Sequence, residues 1–467
     1  MEYNIFFNNF KGAIIPHAGN EYAGAARKLI FKNLIENDKK IEYIIYLAAL
    51  HNTHNSNEKV FVLKYDNDFY KFFNNNKNNY IIDKNLFTDG AINEHSFIWV
   101  EPELKKYFKY AKILVLCPTP LSNLKSLAND IIDYIYYNSN INKKILLFAT
   151  TDLTHYGSRF NNLSLLNFPQ QLNKWKREET LICNLLDNNL NNNDLNNNIM
   201  CGPYAIITFI YISKFFNWNS RVIDYYDSSN YNKNLIDKYR IHFNKEQEFV
   251  SYISIIYGTF SKNNSLLPID IIMAIGLIKS IIEAKLLNYN DDIYLPKWNK
   301  FNFMNNGIFI STELNNSINS CYGNFQIDNN NTNSLIKITN SSKNCLNDSI
   351  NRWNNPITLN NLNYHTFKIE ILEDNKMWKT FLSREATTKF IFDGCHGMFL
   401  SLYNGNSATF LPIVAKDNID IWDTNKYMNL LTLKAGGHID DWKNDNSKMS
   451  IYKTIIFKYY NNQLLCI

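Results

Sequence analysis

Four histidines, an aspartate and a cysteine are placed where the chain could do chemistry. His17 directly follows the apolar run GAIIP (12–16), and His51 directly follows IEYIIYLAAL (41–50), one strand–helix–strand unit later. Asp152 and His155 directly follow KKILLFATT (143–151). Cys201, in IMCGPYAIITF, and the pair Glu94–His95, in INEHSF, precede further apolar segments and could close the group. Imidazole and thiolate ligate first-row transition metals, and imidazoles and carboxylates also carry protons. A lone histidine at a strand end is commonly a structural donor, and a lone cysteine a small buried hydrophobe. Five of the nine histidines lie in the first 155 residues, however, and three of them stand at strand ends. Together with Asp152 they point to a site. His54, inside HNTHNSNEK, reads as loop surface.

Those residues need a scaffold that brings distant strand ends together. Strands are expected at 12–16, 41–50, 111–118, 143–151 and 252–260, with a helix between the first two that carries Ala26, Leu29, Ile30 and Leu34 on one face. Strands apolar on both faces and separated by helices predict a mainly parallel sheet covered on both sides. In such a sheet the carboxyl ends of the strands open into one crevice. The segment GAIIPHAGNEYAGAARKL (12–29) is dense in Gly and Ala in a chain with only 15 Gly and 10 Pro. Pro16 is expected to end the strand stiffly, Ala18 and Gly19 to admit close backbone approach at His17, and Gly24 with the alanines to let the helix pack tightly on the sheet.

At FSKNNSLLPID (260–270) the periodicity breaks, which predicts two domains, 1–260 and 268–467. The second opens on a helix over 271–287. Strands are expected in GIFISTEL, HTFKIEILE, GMFLSLYNG and ATFLPIVA, giving a smaller α+β domain. The Asn runs at 72–79 and 186–198 read as surface loops.

The whole sequence excludes some function classes. A net charge of +5 on 467 residues, with no basic stripe, does not indicate nucleic-acid binding. No apolar stretch approaches the ~18 residues of a membrane span, and the N-terminus MEYNIFFNNFKG has no signal-peptide pattern. Seven scattered cysteines without a CxxC predict a reduced, cytoplasmic setting and no cysteine zinc site.

PHAGNEYAG, LHNTH, NEHSF, TTDLTHYG and MCGPYAI occur in the order and at about the spacing of motifs of the Memo family, which belongs to the LigB-like superfamily of class III extradiol dioxygenases. The resemblance covers nearly all of residues 11–260. It implies a mononuclear redox metal, iron or copper, held by His17, His51 and Cys201, in a pocket lined by Asp152, His155 and His95. A thiolate in place of a carboxylate softens such a site and favours Cu(I) or Fe(II) over Mg or Ca. Asn20, Ala48-Ala49-Leu50 and Ile98 depart from the family pattern on the substrate side.

Residues 270–467 resemble the AMMECR family, which is fused to Memo domains in many archaeal and bacterial proteins. GIFISTELNNSINSCYGNF, DSINRW, FKIEILED, GCHGMFLSL, ATFLPIVA and LTLKAGGHIDDW carry that likeness in order. Cys321, His396 and Lys434 fall on the family's distinctive positions, and Cys321 joins His155, Asp152 and His95 as a candidate catalytic residue. Asn319 and Ser320 replace an Arg and a Gly of the motif around Cys321. The bland readings are a structural cysteine for Cys321, a turn at His396 and a helix C-cap at KAGG.

Together the resemblances imply a Memo-like redox metalloprotein acting on an unidentified small molecule or protein, with a radical-SAM protein as partner in a shared modification pathway and no membrane partner. The contrasting expectation is a non-catalytic adaptor that binds a peptide or anionic ligand in the same crevice. True ring cleavage is the least favoured, since fold kinship alone does not carry function.

Overall fold

The computed structural model describes residues 10–37, 41–51, 60–64, 94–120, 122–139, 144–160, 170–190, 199–230, 248–260, 268–289, 307–315, 317–324, 334–372, 379–380, 388, 391–393, 395–460 and 463–466. The described residues form two compact units that divide between Leu277 and Ile278. The polar segment 261–267, the Asn run 72–79, residues 191–198 of the second Asn run and His54 lie outside the described residues.

The first unit contains β1 (Phe10–Ile15), α1 (Asn20–Asn37), β2 (Tyr43–Leu47), β3 (Val60–Lys64), α2 (His95–Ile98), α3 (Glu101–Tyr107) and β4 (Lys112–Pro118). These are followed by α4 (Leu124–Ser139), β5 (Ile145–Thr150), β6 (His155–Tyr156), α5 (Gln170–Leu186), α6 (Pro203–Phe215), β7 (Asn219–Asp227) and β8 (Phe249–Gly258). The sheet runs β3-β4-β2-β5-β1-β8-β6, with β7 also paired to β8. Its centre, β4-β2-β5-β1, is parallel, as the doubly apolar strands predict. The flanks are antiparallel: β3 on β4 at one side, and β8 on β1 at the other. The run expected as a strand at 252–260 is therefore an antiparallel member, β8. It starts at Phe249 and carries β6 and β7.

The two faces of the sheet bury different helices. Leu127 and Ile131 of α4, Ile182 and Leu185 of α5, and Ile206 and Phe209 of α6 share one core with Ile14, Ile45 and Leu147. On the opposite face Phe31 of α1 meets Phe148 of β5, ring centroids 5.5 Å apart, and Phe108 at 5.4 Å. Helix α1 buries Ala23, Ala26, Ile30, Phe31 and Leu34, a stripe at helical spacing. Gly12 is required by packing, since a Cβ there would lie 2.5 Å from the Leu147 carbonyl oxygen and 3.1 Å from the Phe209 ring. Gly24 admits Glu103, whose Oε1 would lie 3.2 Å from an added Cβ. Gly19 is a correction: a Cβ there would meet nothing nearer than 3.8 Å, so close approach at His17 does not depend on it.

Helix α7 (Pro268–Leu286) begins three residues before the expected start and spans the division between the units. The second unit then contains β9 (Ile308–Leu314), β10 (Ser317–Asn324), α8 (Ser334–Arg352), β11 (Thr366–Leu372), β12 (Lys379–Thr380), β13 (His396–Ser401) and β14 (Ser407–Phe410). It ends with α9 (Pro412–Asp417), α10 (Thr424–Lys434), β15 (Lys448–Tyr460) and β16 (Gln463–Cys466). Its sheet is antiparallel, in the order β10-β9-β11-β15-β13-β14, with β12 and β16 also on β15. The 13-residue β15 pairs with β11 along its C-terminal part and with β13 along its N-terminal part, so one strand curls the sheet. The expected strand ATFLPIVA splits: Pro412 stands at the first turn of α9, where its missing N–H costs nothing, and the strand stops at Phe410. Among the described residues no helix is long and apolar enough to cross a membrane.

Candidate metal centre

Strand order decides which residues meet. β5 lies between β1 and β2, so the carboxyl ends of three adjacent parallel strands carry His17, then Thr150 and Asp152, then His51. His17 is 1% exposed and held on two sides. Its backbone N–H donates to Asp152 Oδ1 at 3.0 Å, and its Nδ1 is 3.0 Å from Thr150 Oγ1. The Thr150 hydroxyl donates its one proton to the Ile15 carbonyl, 3.0 Å away, so it accepts from His17 Nδ1–H. That pattern fixes the tautomer and leaves the Nε2 lone pair facing Cys201 Sγ at 3.3 Å and Asp152 Oδ2 at 3.6 Å. Burial, then the neighbouring His51 and His95, push the His17 pKa well below its ordinary value, so the imidazole is neutral near pH 7.

His51 is oriented by Glu94. Its Nδ1 donates to Glu94 Oε1 at 2.8 Å and its backbone N–H to Oε2 at 2.9 Å. Glu94 also caps α2 by accepting from the Ser96 N–H. Burial raises the Glu94 pKa, but the bonds from His51 and Ser96 outweigh it and hold the carboxyl at about 2. A carboxylate that fixes a histidine through Nδ1 and presents Nε2 is a common support for a metal ligand. Ser96 ties this short helix to β2: its hydroxyl donates to the Ala49 carbonyl and its own carbonyl accepts from Tyr46.

Cys201 precedes α6, with Gly202 as the cap. Its Sγ accepts the Asp152 N–H at 3.1 Å, and its own N–H donates to the Asp152 carbonyl at 3.1 Å. A Cβ on Gly202 would lie 2.3 Å from the Thr150 carbonyl oxygen, so only glycine brings this turn against β5. Burial, then the Asp152 charge, push the Cys201 thiol well above its ordinary range, and burial raises Asp152 as well. A metal cation would reverse both effects.

The ligand atoms form two triads, each within 4.8 Å: His17–His51–His95 and His17–Asp152–Cys201. His17 belongs to both, while His51 and Cys201 fall in different ones. The His51 and His95 rings lie 3.9 Å apart at 37°, and Trp99 covers His95 with centroids 4.8 Å apart. Burial, then His51, lowers the His95 pKa. His155 Nδ1 donates to the Leu153 carbonyl at 2.9 Å, and the ring packs on Phe160 at 5.0 Å.

Three supporting residues were not legible as such. Thr150 sets the His17 tautomer, and Glu94 orients His51 instead of joining the site as a ligand. Arg27 lies on the apolar stripe of α1, fully buried. Its Nη1 donates to the carbonyls of Pro16 and Ala18 at 3.1 and 2.8 Å, on either side of His17. Its Nε pairs with Glu103 at 2.6 Å, and its Nη2 donates to Asn20. Asn20, a departure from the family pattern, is thus part of the clamp that holds the His17 turn. An arginine on an apolar helical stripe was the available signal, since such a cation must find a buried partner.

The comparisons match this architecture unit by unit. A Memo-like protein family matches residues 6–237, and the AMMECR1 family matches residues 274–457. The chain joins a Memo-like domain to an AMMECR1 domain. No curated protein matches it. A crystal structure of an uncharacterized protein from Pyrococcus horikoshii is 18% identical over 41% of this chain and 93% of that one, with a TM-score of 0.33.

In the AMMECR1 domain, Cys321 on β10 and Lys434 at the end of α10 line one cavity of about 530 Å³, together with Glu370 of β11. His396 opens β13, accepts no place in that lining, and bonds through Nδ1 to Asp393. KAGG is a C-cap: Gly436 has φ 74°, and the N–H groups of Gly436 and Gly437 close on the carbonyls of Leu433 and Thr432. Burial pushes the Cys321 thiol up to about 12 and the Glu370 carboxyl up to about 7. Glu370 is 1% exposed, with Oε2 unpartnered among the described residues.

The Glu370 shift has a sign that can be measured. Its folded pKa lies above the ordinary 4.5, so folding is unpenalised below pH 4.5. The cost grows as pH rises from 4.5 to about 7, the window in which the unfolded chain has released a proton that the folded one retains, and is constant above it. Glu370→Gln is expected to melt like the wild type at pH 4.5 and to be more stable above pH 8 by up to about 3 kcal/mol. Equal melting temperatures at both pH values would contradict the assignment.

Proposed function

We propose that the Memo-like domain is a mononuclear metalloprotein whose iron or copper ion is held by His17, His51 and Cys201, with oxidoreductase chemistry as its activity. The observation that carries this reading is the His17 Nε2 lone pair aimed at Cys201 Sγ, 3.3 Å away. Two adjacent ligands at about 2.0 Å (N) and 2.3 Å (S) from one ion are separated by roughly 3.0–3.5 Å. The buried His17 and the partly buried Cys201 already stand at that separation. His51 completes the set because Glu94 fixes its Nδ1, and His95, its ring tilted against that of His51, stands beside it.

An ion bound there supplies Lewis acidity and one-electron chemistry. The chain supplies the rest. Asp152 holds the His17 backbone and Cys201 in register. His95, neutral near pH 7, can accept a proton from a bound molecule, and His155 is oriented by the bond from its Nδ1–H to the Leu153 carbonyl. The Trp99 ring shields the outer side of His95. The substrate is a small molecule or a protein side chain. The pairing of the two domains supports a radical-SAM protein as partner in one modification pathway.

Anaerobic reconstitution with Fe(II) or Cu(I), followed by elemental analysis, tests the reading. About one ion per chain is expected, with Cys201→Ser and His51→Ala each losing most of it while melting as folded proteins. Full metal in both variants would remove them as ligands. A wild type that holds no metal would leave a crevice that binds a peptide or anion without an ion.

A further inference from the structure

The cavity of the AMMECR1 domain lies within one unit and serves no step of the metal chemistry. Its walls are largely apolar, with Phe309, Phe399, Phe410 and Ile413 around a volume of about 530 Å³, space for a small organic molecule. Most of its charged groups are already paired. Asp348 binds Arg352 at 2.8 Å, and Lys368 is bound to Glu313. Two groups differ. Lys434, at the solvent edge, gives one ammonium hydrogen to the Thr409 carbonyl at 2.9 Å, lies 5.1 Å from the Phe410 ring centroid and makes no ion pair among the described residues. Glu370, on the central strand β11, is deeply buried beside the Thr454 hydroxyl, and its Oε2 has no hydrogen-bond partner among the described residues.

A fully buried oxygen without a partner is costly, and it is tolerated where a ligand completes it. The two unmatched groups differ in depth, one at the edge and one inside, with aromatic surface lining the space. We propose that this cavity binds a small amphipathic carboxylate: its carboxylate pairs with Lys434, its apolar body lies along Phe309, Phe399 and Phe410, and a neutral carbonyl or hydroxyl at its inner end accepts a hydrogen bond from Glu370. Burial raises this carboxyl to about 7, so a substantial share of it is protonated near neutrality and able to donate. Cys321 acts here as wall. Its backbone N–H donates to Asp348 Oδ2 at 3.0 Å and so is committed away from any oxyanion, and burial keeps its sulfur a thiol.

The test uses the full chain and calorimetric titration with N-acetyl-phenylalanine, which has a carboxylate, an aromatic ring and an amide carbonyl. Its methyl ester lacks the anion, and 3-phenylpropanoate lacks the carbonyl. In the wild type the acid is expected to bind at least about tenfold more tightly than either analogue, the scale of one hydrogen bond involving a charged group. Lys434→Met should bind acid and ester equally. Glu370→Gln, which keeps a donor at the same place, should hold the acid within about threefold of the wild type. Glu370→Leu should bind the acid and 3-phenylpropanoate alike. A wild type that binds none of the three at millimolar concentration, or that binds acid and ester equally, would overturn the proposal. So would an unaltered preference for the acid in Lys434→Met.

Discussion

Replacing His17 with alanine is expected to abolish metal binding by the Memo-like domain, a larger loss than any other single substitution at the site. His17 alone belongs to both ligand triads, so neither retains three donors without it. The neighbouring orienting group should give a graded effect. Glu94→Gln removes the carboxylate that fixes His51 but leaves every proposed ligand in place, and a supporting partner of this kind typically contributes about 10–100-fold in affinity. The measurement is metal affinity by competition with a chelator, with thermal melts as the folding control. Metal retained by His17→Ala would move the site elsewhere. An unchanged affinity in Glu94→Gln would mean that His51 is not a ligand. Because the imidazoles must be neutral to bind an ion, affinity should also fall as pH drops below the histidine range.

Arg27→Met is expected to cost about 3–5 kcal/mol of stability, the usual result of removing one partner of a buried ion pair. Arg27 is fully buried, and Glu103, with Oε1 unpartnered among the described residues, would be left charged in the core. In thermal terms this is a fall of roughly 10 °C in the transition of this domain. The double variant Arg27→Met, Glu103→Leu should recover most of that loss, because no isolated charge then remains. Metal affinity separates the two roles of the residue. Without its guanidinium the carbonyls of Pro16 and Ala18 lose their donors, so the double variant should be stable and still bind metal more weakly than the wild type. Equal affinity would show that the clamp serves stability alone.

The two effects share a cause in the way the site is built. His17 lies on a turn, and the turn is held by groups from elements far away in sequence: Thr150 and Asp152 from the end of β5, and Arg27 with its partner Glu103 from α1 and α3. A ligand whose tautomer and backbone are both fixed before an ion arrives loses little freedom on binding it.

The order of strand ends and the residue types on them were legible in the sequence. Doubly apolar runs interrupted by helical stripes require a covered parallel sheet, and β1, β2, β4 and β5 follow from that alone. The motifs around His17, His51, His95, Asp152 and Cys201 carried the family likeness because the His, Cys, Gly and Pro in them are scarce in this Asn- and Lys-rich chain. What the tertiary structure decided is who faces whom. Sequence places Glu94 beside His95, yet its carboxylate turns to His51, because the cap of α2 and the His51 backbone converge on it. The insertion of β5 between β1 and β2 brings Thr150 against His17, a pairing across 133 positions with no local signal. It also puts His51 and Cys201 in different triads around one histidine. In the AMMECR1 domain the run ATFLPIVA reads as one strand, yet the strand ends at Phe410 and Pro412 opens α9, and the burial of the Glu370 carboxyl follows only from the packing of β11. Local pattern fixes elements through the short-range periods of helix and strand. The partners of a buried polar group depend on strand order and long-range packing, which only the folded chain displays.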